Sequence, residues 1–388
     1  MAASAAAAAS CRRESPRRGP TLWSVSRTST RHSRRPARAL ALAALAVILA
    51  AGPLAGCTLA GPRAGMAAAH PKGGASAHSA AAGRGRPGTG LAGNGAAGNA
   101  TALPPPAALA LPGGPAFRGE GTWRPVGRRV HGAPAVYEAE VIPPGGSQRA
   151  GIAWMDTRLL AARLYSGSES PGGTGWHYSA PVASAQAVTL VAAFNGGFQM
   201  KDARGGYFAE GRNPYPLARG AASLVFYASG AVTVGTWGAD VRQVRGVVAV
   251  RQNLTLLVSG GRPTAAARGD WHHWGNTCGV TSCAAWVPEV EHQWRSGVGV
   301  TASGALVYAL GPGLAPLQLA WLLARAGALR GMELDINPEW PVFAAYGPAA
   351  AAGRATPVNG RRLLATVQGP GTFFERQWAR DFITMSAR

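Results

Sequence analysis

The run Val188-Thr189-Leu190-Val191-Ala192-Ala193-Phe194-Asn195-Gly196-Gly197 decides how the rest of the chain is read. Its first seven residues carry no charge and three are β-branched, which reads as a buried strand; Asn-Gly-Gly closes it, because glycine tolerates turns and close approaches that side chains forbid. Outward from this strand the pattern repeats. Leu224-Val225-Phe226-Tyr227 and Val232-Thr233-Val234 flank Ser229-Gly230 as a hairpin. Residues 247–250, 254–258, 297–301 and 306–310 are further strand candidates, the last two joined by a turn at Ser303-Gly304. One helix is predicted: Pro316 suits a first turn, Leu317, Leu319, Ala320, Trp321, Leu322 and Leu323 supply an apolar body, and Gly327 is the stop. A short strand over 332–334 then delivers Asp335 to its end. Strands outnumber helices and hairpins dominate, so the expected fold class is α+β, a mixed, hairpin-rich sheet with few helices.

The globular part is expected over 116–388, where eleven of the twelve Trp lie. Residues 58–115 are Ala, Gly and Pro with hardly a large apolar side chain, too little to bury, and are expected to form a disordered tether. Upstream, an Arg-rich stretch leads into the apolar run 39–51 and then Leu54-Ala55-Gly56-Cys57. Basic n-region, short apolar run and small-residue cleavage site form an export signal over 1–56, too short and Pro-broken to span a bilayer. Leu-Ala-Gly-Cys resembles the lipobox of bacterial lipoproteins, which implies that Cys57 carries lipid and that 57–115 is a lipid-anchored linker. The domain would then sit at the outer face of the cytoplasmic membrane, or in the cell envelope, touching membrane through the anchor only. The formal charge of +21 is weighted to the same end: nine Arg against one Glu in residues 1–57, then three Arg and one Lys with no acid before residue 116. Beyond it the basic residues are single arginines without a basic and aromatic run, so nucleic acid is not an expected partner. Cys278 and Cys283, five apart, predict a local disulfide in an oxidising compartment; His272, His273 and His292 could complete a zinc set, but the disulfide is preferred and no metal is expected. No P-loop, dinucleotide fingerprint or Gly-x-Ser-x-Gly elbow occurs, and no cofactor is expected.

Three motifs stand in order: Phe194-Asn195-Gly196-Gly197-Phe198; Trp294-Arg295-Ser296-Gly297-Val298-Gly299-Val300-Thr301; and the predicted helix running into Glu333-Leu334-Asp335. The order resembles the phosphodiester glycosidase family over about residues 150–380. That resemblance implies an extracytoplasmic hydrolase that cleaves a sugar from a glycosyl phosphodiester of cell-wall or exported polysaccharide. The alternative is a non-catalytic envelope lipoprotein on the same scaffold, binding carbohydrate, phosphate or anionic cell-wall polymer. The chain departs from the family where Asp335 is followed by Ile336-Asn337-Pro338-Glu339-Trp340 rather than three glycines and Ser; Ile336 and Pro338 add bulk, and Pro removes a backbone donor.

Cleavage at a sugar carbon passes through an oxocarbenium-like state, which asks for a carboxylate, while the phosphate asks for a cation. Asp335 is the expected catalytic carboxylate with Glu333 as a second, placed on one face by strand alternation. Arg295, and secondarily Arg212, are expected to hold the phosphate through planar forks of donors. Asn195 is expected on substrate hydroxyls, with Gly196 and Gly197 allowing close approach. Trp271 and Trp274, in Trp-His-His-Trp, are candidates to stack on sugar rings.

Overall fold

The computed structural model describes residues 101–275, 291–336, 338–347, 353–376 and 378–388; the expected leader, Cys57, Cys278 and Cys283 lie outside the described residues. The domain opens as a meander of β1 (Arg124–Val130), β2 (Ala133–Val141) and β3 (Ala150–Met155), then β4 (Leu160–Tyr165), a helical turn α1 (Ser184–Ala187) and β5 (Leu190–Asn195). Next come β6 (Tyr207–Ala209), β7 (Arg212–Tyr215), β8 (Ala222–Tyr227), β9 (Val232–Thr236), β10 (Val247–Gln252), β11 (Leu256–Ser259), β12 (Arg262–Pro263) and the turn α2 (Ala265–Arg268). β13 (Gln293–Thr301) and β14 (Leu306–Leu314) precede the helix α3 (Pro316–Arg325), followed by β15 (Ala328–Ile336), β16 (Phe343–Tyr346), β17 (Gly360–Arg362) and β18 (Phe382–Ala387).

These strands form three sheets, in the orders β1-β2-β3-β14-β13-β15-β11-β12, β7-β6-β10-β8-β9 and β17-β16-β5-β18-β4. The few helices and abundant hairpins agree with the expected class, but the helical share of an α+β fold is small: among the described residues the α-helices span four, four and ten residues. The predicted hairpin appears as β8 and β9 around Gly230, at φ 78°, and the turn between β13 and β14 holds Gly304 at φ 85°.

β14 and β15 each pair antiparallel with β13 from opposite sides, so they run parallel to one another. Such a pair needs a crossover, and α3 is that crossover. Pro316 occupies its first turn, and Leu319, Ala320, Leu322 and Leu323 are buried against the sheet. Gly297 of the β13 motif is there for this contact: a Cβ at this position would come within 3.2 Å of both Leu319 and Leu323, and one at Gly331 on β15 within 3.0 Å of Leu323. At an interior packed as densely as an organic crystal there is no slack for either methyl.

The packed structure reaches back past the expected boundary at 115. Leu103 and Leu109 are buried, Leu103 N donates to Asp156 Oδ2 at 2.7 Å, and Leu109 N donates to Gly121 O at 3.1 Å. Two leucines spaced along the Pro-rich run suffice to tie residues 101–115 onto the domain. Among the described residues no helix is long and apolar enough to cross a membrane.

Candidate functional site

The three motifs do meet, along a seam between the first and third sheets. Asn195, at the end of β5, is buried and donates through Nδ2 to Ser296 Oγ on β13 at 2.9 Å. Its Oδ1 accepts from Tyr308 OH on β14 at 2.6 Å and from Val342 N at 3.2 Å. Ser296 Oγ in turn accepts from Asp335 N at 3.2 Å, on β15. Asn195 is therefore a pin holding two sheets in register, its amide spent on protein groups rather than offered to a sugar hydroxyl.

Arg295, expected on phosphate, points the other way. Neighbours on a strand face opposite sides, and with Ser296 turned to the seam Arg295 is sealed on the far face. Its Nη1 donates to Glu333 Oε1 at 2.6 Å and to Trp274 O at 3.2 Å, Nε to Leu314 O at 2.7 Å, and Nη2 to Glu291 O at 3.0 Å. A guanidinium so occupied has no fork left for a ligand, so Arg295 is a structural ion-pair partner, and Glu333 with it. Burial raises the Glu333 carboxyl to about 7, against the pull of Arg295.

Glu333 and Asp335 were expected on one face, and the structure separates them. The register of β15 against β13 shifts between the pairs Gly297↔Glu333 and Arg295↔Ile336, so three steps on β15 are matched by two on β13. One extra residue breaks the period of two, which is how a β-bulge re-aims a side chain. Asp335 consequently faces a different arginine: its Oδ2 lies 3.4 Å from Arg380 Nη2, while Oδ1 accepts from Ile336 N at 2.8 Å. Asp335 is 2% exposed and Oδ2 makes no hydrogen bond. Burial pushes its carboxyl up to about 8, with Arg380, the Ile336 N–H and Arg251 pulling down and Asp381 pushing up.

Gly196 and Gly197 are needed for a close approach, but to protein. A Cβ on Gly196 would be driven into the Asp381 carboxylate, and one on Gly197 would come within 2.9 Å of Arg251 Cζ. Arg251, at the end of β10, and Asp381, just before β18, form a fully buried pair: Nε to Oδ2 at 2.8 Å and Nη2 to Oδ1 at 3.1 Å. Gly196 N donates to Asp381 O at 2.8 Å, fixing the backbone beside Arg380.

The remaining candidates stand apart from this seam. Trp271 and Trp274 are both buried, so neither indole is an open platform for a sugar; Trp274 Nε1 donates to Ala266 O at 3.1 Å. Arg212 stacks over Trp176 at 3.2 Å from the ring centroid and donates to Thr174 O at 2.9 Å, near the surface, and no described contact joins it to Asp335. Arg251, Ser296, Arg380 and Asp381 escaped the sequence reading. A charge directly after Val247-Val248-Ala249-Val250 is a legible signal for Arg251, since an arginine ending an apolar strand needs a buried partner; nothing local marks Arg380.

A scan of protein-family models finds no match for the chain, and a search of curated proteins finds no relative. Among solved structures it is similar to the zebrafish N-acetylglucosamine-1-phosphodiester alpha-N-acetylglucosaminidase catalytic domain auto-inhibited by pro-peptide, at 13% identity and TM-score 0.42, over 68% of this chain and 87% of that one. A hypothetical protein from Synechocystis matches at 11% identity and TM-score 0.42, over 68% of this chain and 64% of that one. A putative exported protein from Burkholderia pseudomallei matches at 15% identity and TM-score 0.24, over 67% and 56%. These are distant structural likenesses.

Proposed function

We propose that the chain is an extracytoplasmic hydrolase that cleaves a sugar from a glycosyl phosphodiester of cell-wall or exported polysaccharide, with Asp335 as its working carboxylate. The observation that carries this reading is Asp335 itself: a buried acid with one oxygen free of hydrogen bonds, lifted far above the usual carboxylate range, set beside a guanidinium where three separated motifs converge. A strongly shifted acid held by desolvation beside a specific charge partner is a candidate for chemistry. In the proposed step Asp335 takes a proton from water as the water oxygen bonds to the anomeric carbon; the carbon–oxygen bond to phosphate breaks, and the phosphate leaves with the bonding pair as a monoester. That leaving group is already a weak base, so no second acid is required, consistent with Glu333 being committed to Arg295.

A base must be ionised to act. With its carboxyl at about 8, the active fraction grows about tenfold for each unit of pH below that value and levels off above it. Measured between pH 5.5 and 9.5 on a glycosyl phosphodiester with a chromogenic aglycone, kcat/KM should climb and then flatten; a profile that is flat or falls throughout removes Asp335 from the role of base.

A second reading, a binding protein for carbohydrate or phosphate on the same scaffold, is favoured by the cover over the acid. Ile336 is half-buried where the resemblance places a glycine, and Trp340, four residues on, is half-buried and lies directly on Arg380. Absence of any sugar release across such substrates, with binding retained, would decide for it. For the anchor, intact-mass analysis of the exported protein should give a mature chain that starts at Cys57 with diacylglycerol on its thiol; an unmodified start elsewhere excludes it.

A further inference from the structure

Arg251, Arg295 and Arg380 are the buried arginines among the described residues. Such a group cannot shed its proton, so each of its N–H groups must find an acceptor or leave a charged donor unsatisfied. Arg295 meets a carboxylate and three carbonyls. Arg251 meets both Asp381 oxygens, Gln252 O at 2.6 Å and Phe198 O. Arg380 is different. It is 6% exposed, yet Nε and Nη1 meet no acceptor among the described residues, and its one ion-pair contact, to Asp335 at 3.4 Å, lacks hydrogen-bond geometry. Trp378 Nε1 and Ser170 Oγ, on the strands of chain beside it, are also buried without a partner.

The backbone on either side of Arg380 is nonetheless held firmly. Ala379 O accepts from Glu169 N and Ser170 N, both at 3.0 Å, Asp381 is clamped by Arg251 and Gly196, and the guanidinium carbon sits 4.3 Å from the Trp340 ring centroid. Trp340 in turn packs edge-on against Trp378 at 5.7 Å. A cation fixed from behind, faced by an aromatic ring and short of acceptors is built to receive a group that brings several oxygens and a negative charge.

We propose that Arg380 seats an oxyanion, and that on the hydrolase reading above this anion is the phosphate of the substrate, held against the Asp335 carboxyl. Arg380 thus replaces Arg295 as the phosphate-binding residue, with the Trp340 ring packed over it.

The test is thermal unfolding of the protein with inorganic phosphate at constant ionic strength against chloride, and in parallel with dimethyl phosphate as a simple diester. Wild type is compared with Arg380→Met, Arg380→Lys and, as a control on exposed β1, Arg129→Gln. Saturating phosphate should raise the wild-type midpoint by about 3 °C or more, with the same rise in Arg129→Gln and none in Arg380→Met. Lysine keeps the charge but not the planar donors, and should weaken the apparent phosphate affinity about tenfold. No rise in the wild type, or an undiminished rise in Arg380→Met, overturns the proposal; if Arg380→Met does not fold by circular dichroism, wild-type affinity in Arg380→Lys overturns it instead. A stronger response to dimethyl phosphate than to inorganic phosphate would identify the diester as the form recognised, and the reverse order would identify the monoester product. Hydrolysis is read separately: a phosphate response that depends on Arg380 without any sugar release leaves the anion seat standing and removes the enzyme, whereas turnover with an unchanged KM in Arg380→Met does the opposite.

Discussion

Asp335→Asn should cut turnover of a glycosyl phosphodiester by about 10²–10⁴-fold while leaving substrate binding within a few-fold of wild type, the range expected when a positioned proton acceptor is lost. The same substitution should stabilise the fold, and in a pH-dependent way. The folded-state carboxyl sits at about 8 against an ordinary value of 3.8, so between those limits the folded protein binds a proton that the unfolded chain has released. Stability of the wild type therefore falls as pH rises through that window. Asparagine cannot ionise and escapes the loss: melting midpoints of wild type and variant should lie close together near pH 4 and separate in favour of the variant by pH 8. The groups that face the carboxyl, Arg380, Arg251 and Asp381, are unchanged in the comparison. Loss of activity accompanied by a lower midpoint at pH 8 would mean that Asp335 serves the fold and not the reaction.

The second large effect is expected on the opposite face of the same strand. Glu333→Leu leaves Arg295 buried with a permanent charge and no counter-ion, and should cost about 3–5 kcal/mol in chemical denaturation. Arg295→Met should cost less at low pH, because the orphaned Glu333 can take up a proton; its carboxyl is already at about 7 with the arginine present. Without that partner the folded value rises further above the ordinary 4.5, so the penalty in Arg295→Met should stay level up to about pH 7, where the wild-type carboxyl ionises, and grow above it. Equal penalties for the two variants at pH 5.5 would contradict the buried pair as described. A fall in phosphate affinity in a well-folded Arg295→Met would return that arginine to the ligand.

Much of the backbone was readable from local pattern. The strand 188–194, the hairpin around Gly230, the helix between Pro316 and Gly327 and the strand ending at Asp335 all follow from apolar periodicity and glycine or proline punctuation, and the structure has each of them within a few residues. Asn195 and Asp335 meet through Ser296 of the β13 motif, while Arg295, expected beside them, faces the other way. Side-chain roles were less legible. Whether Glu333 and Asp335 share a face depends on one bulged residue, which no local spacing records. Which arginine is free depends on neighbours 38 positions away for Arg295 and 130 for Arg251, contacts that exist only once the sheets have met. Trp271 and Trp274 looked like an exposed stacking surface because four ring residues in a row are usually notable, but two buried indoles serve packing equally well.

The third sheet places β18 between β4 and β5, so residues 382–387 pair with 160–165 on one side and residues 382–386 with 190–195 on the other. Strand β5 thus waits, while almost two hundred further residues are synthesised, for the neighbour that completes it and brings Arg380 and Asp381 to the seam. Contacts of that sequence separation slow folding, and a partly made chain would display an unpaired apolar edge along Leu190–Asn195 in the meantime.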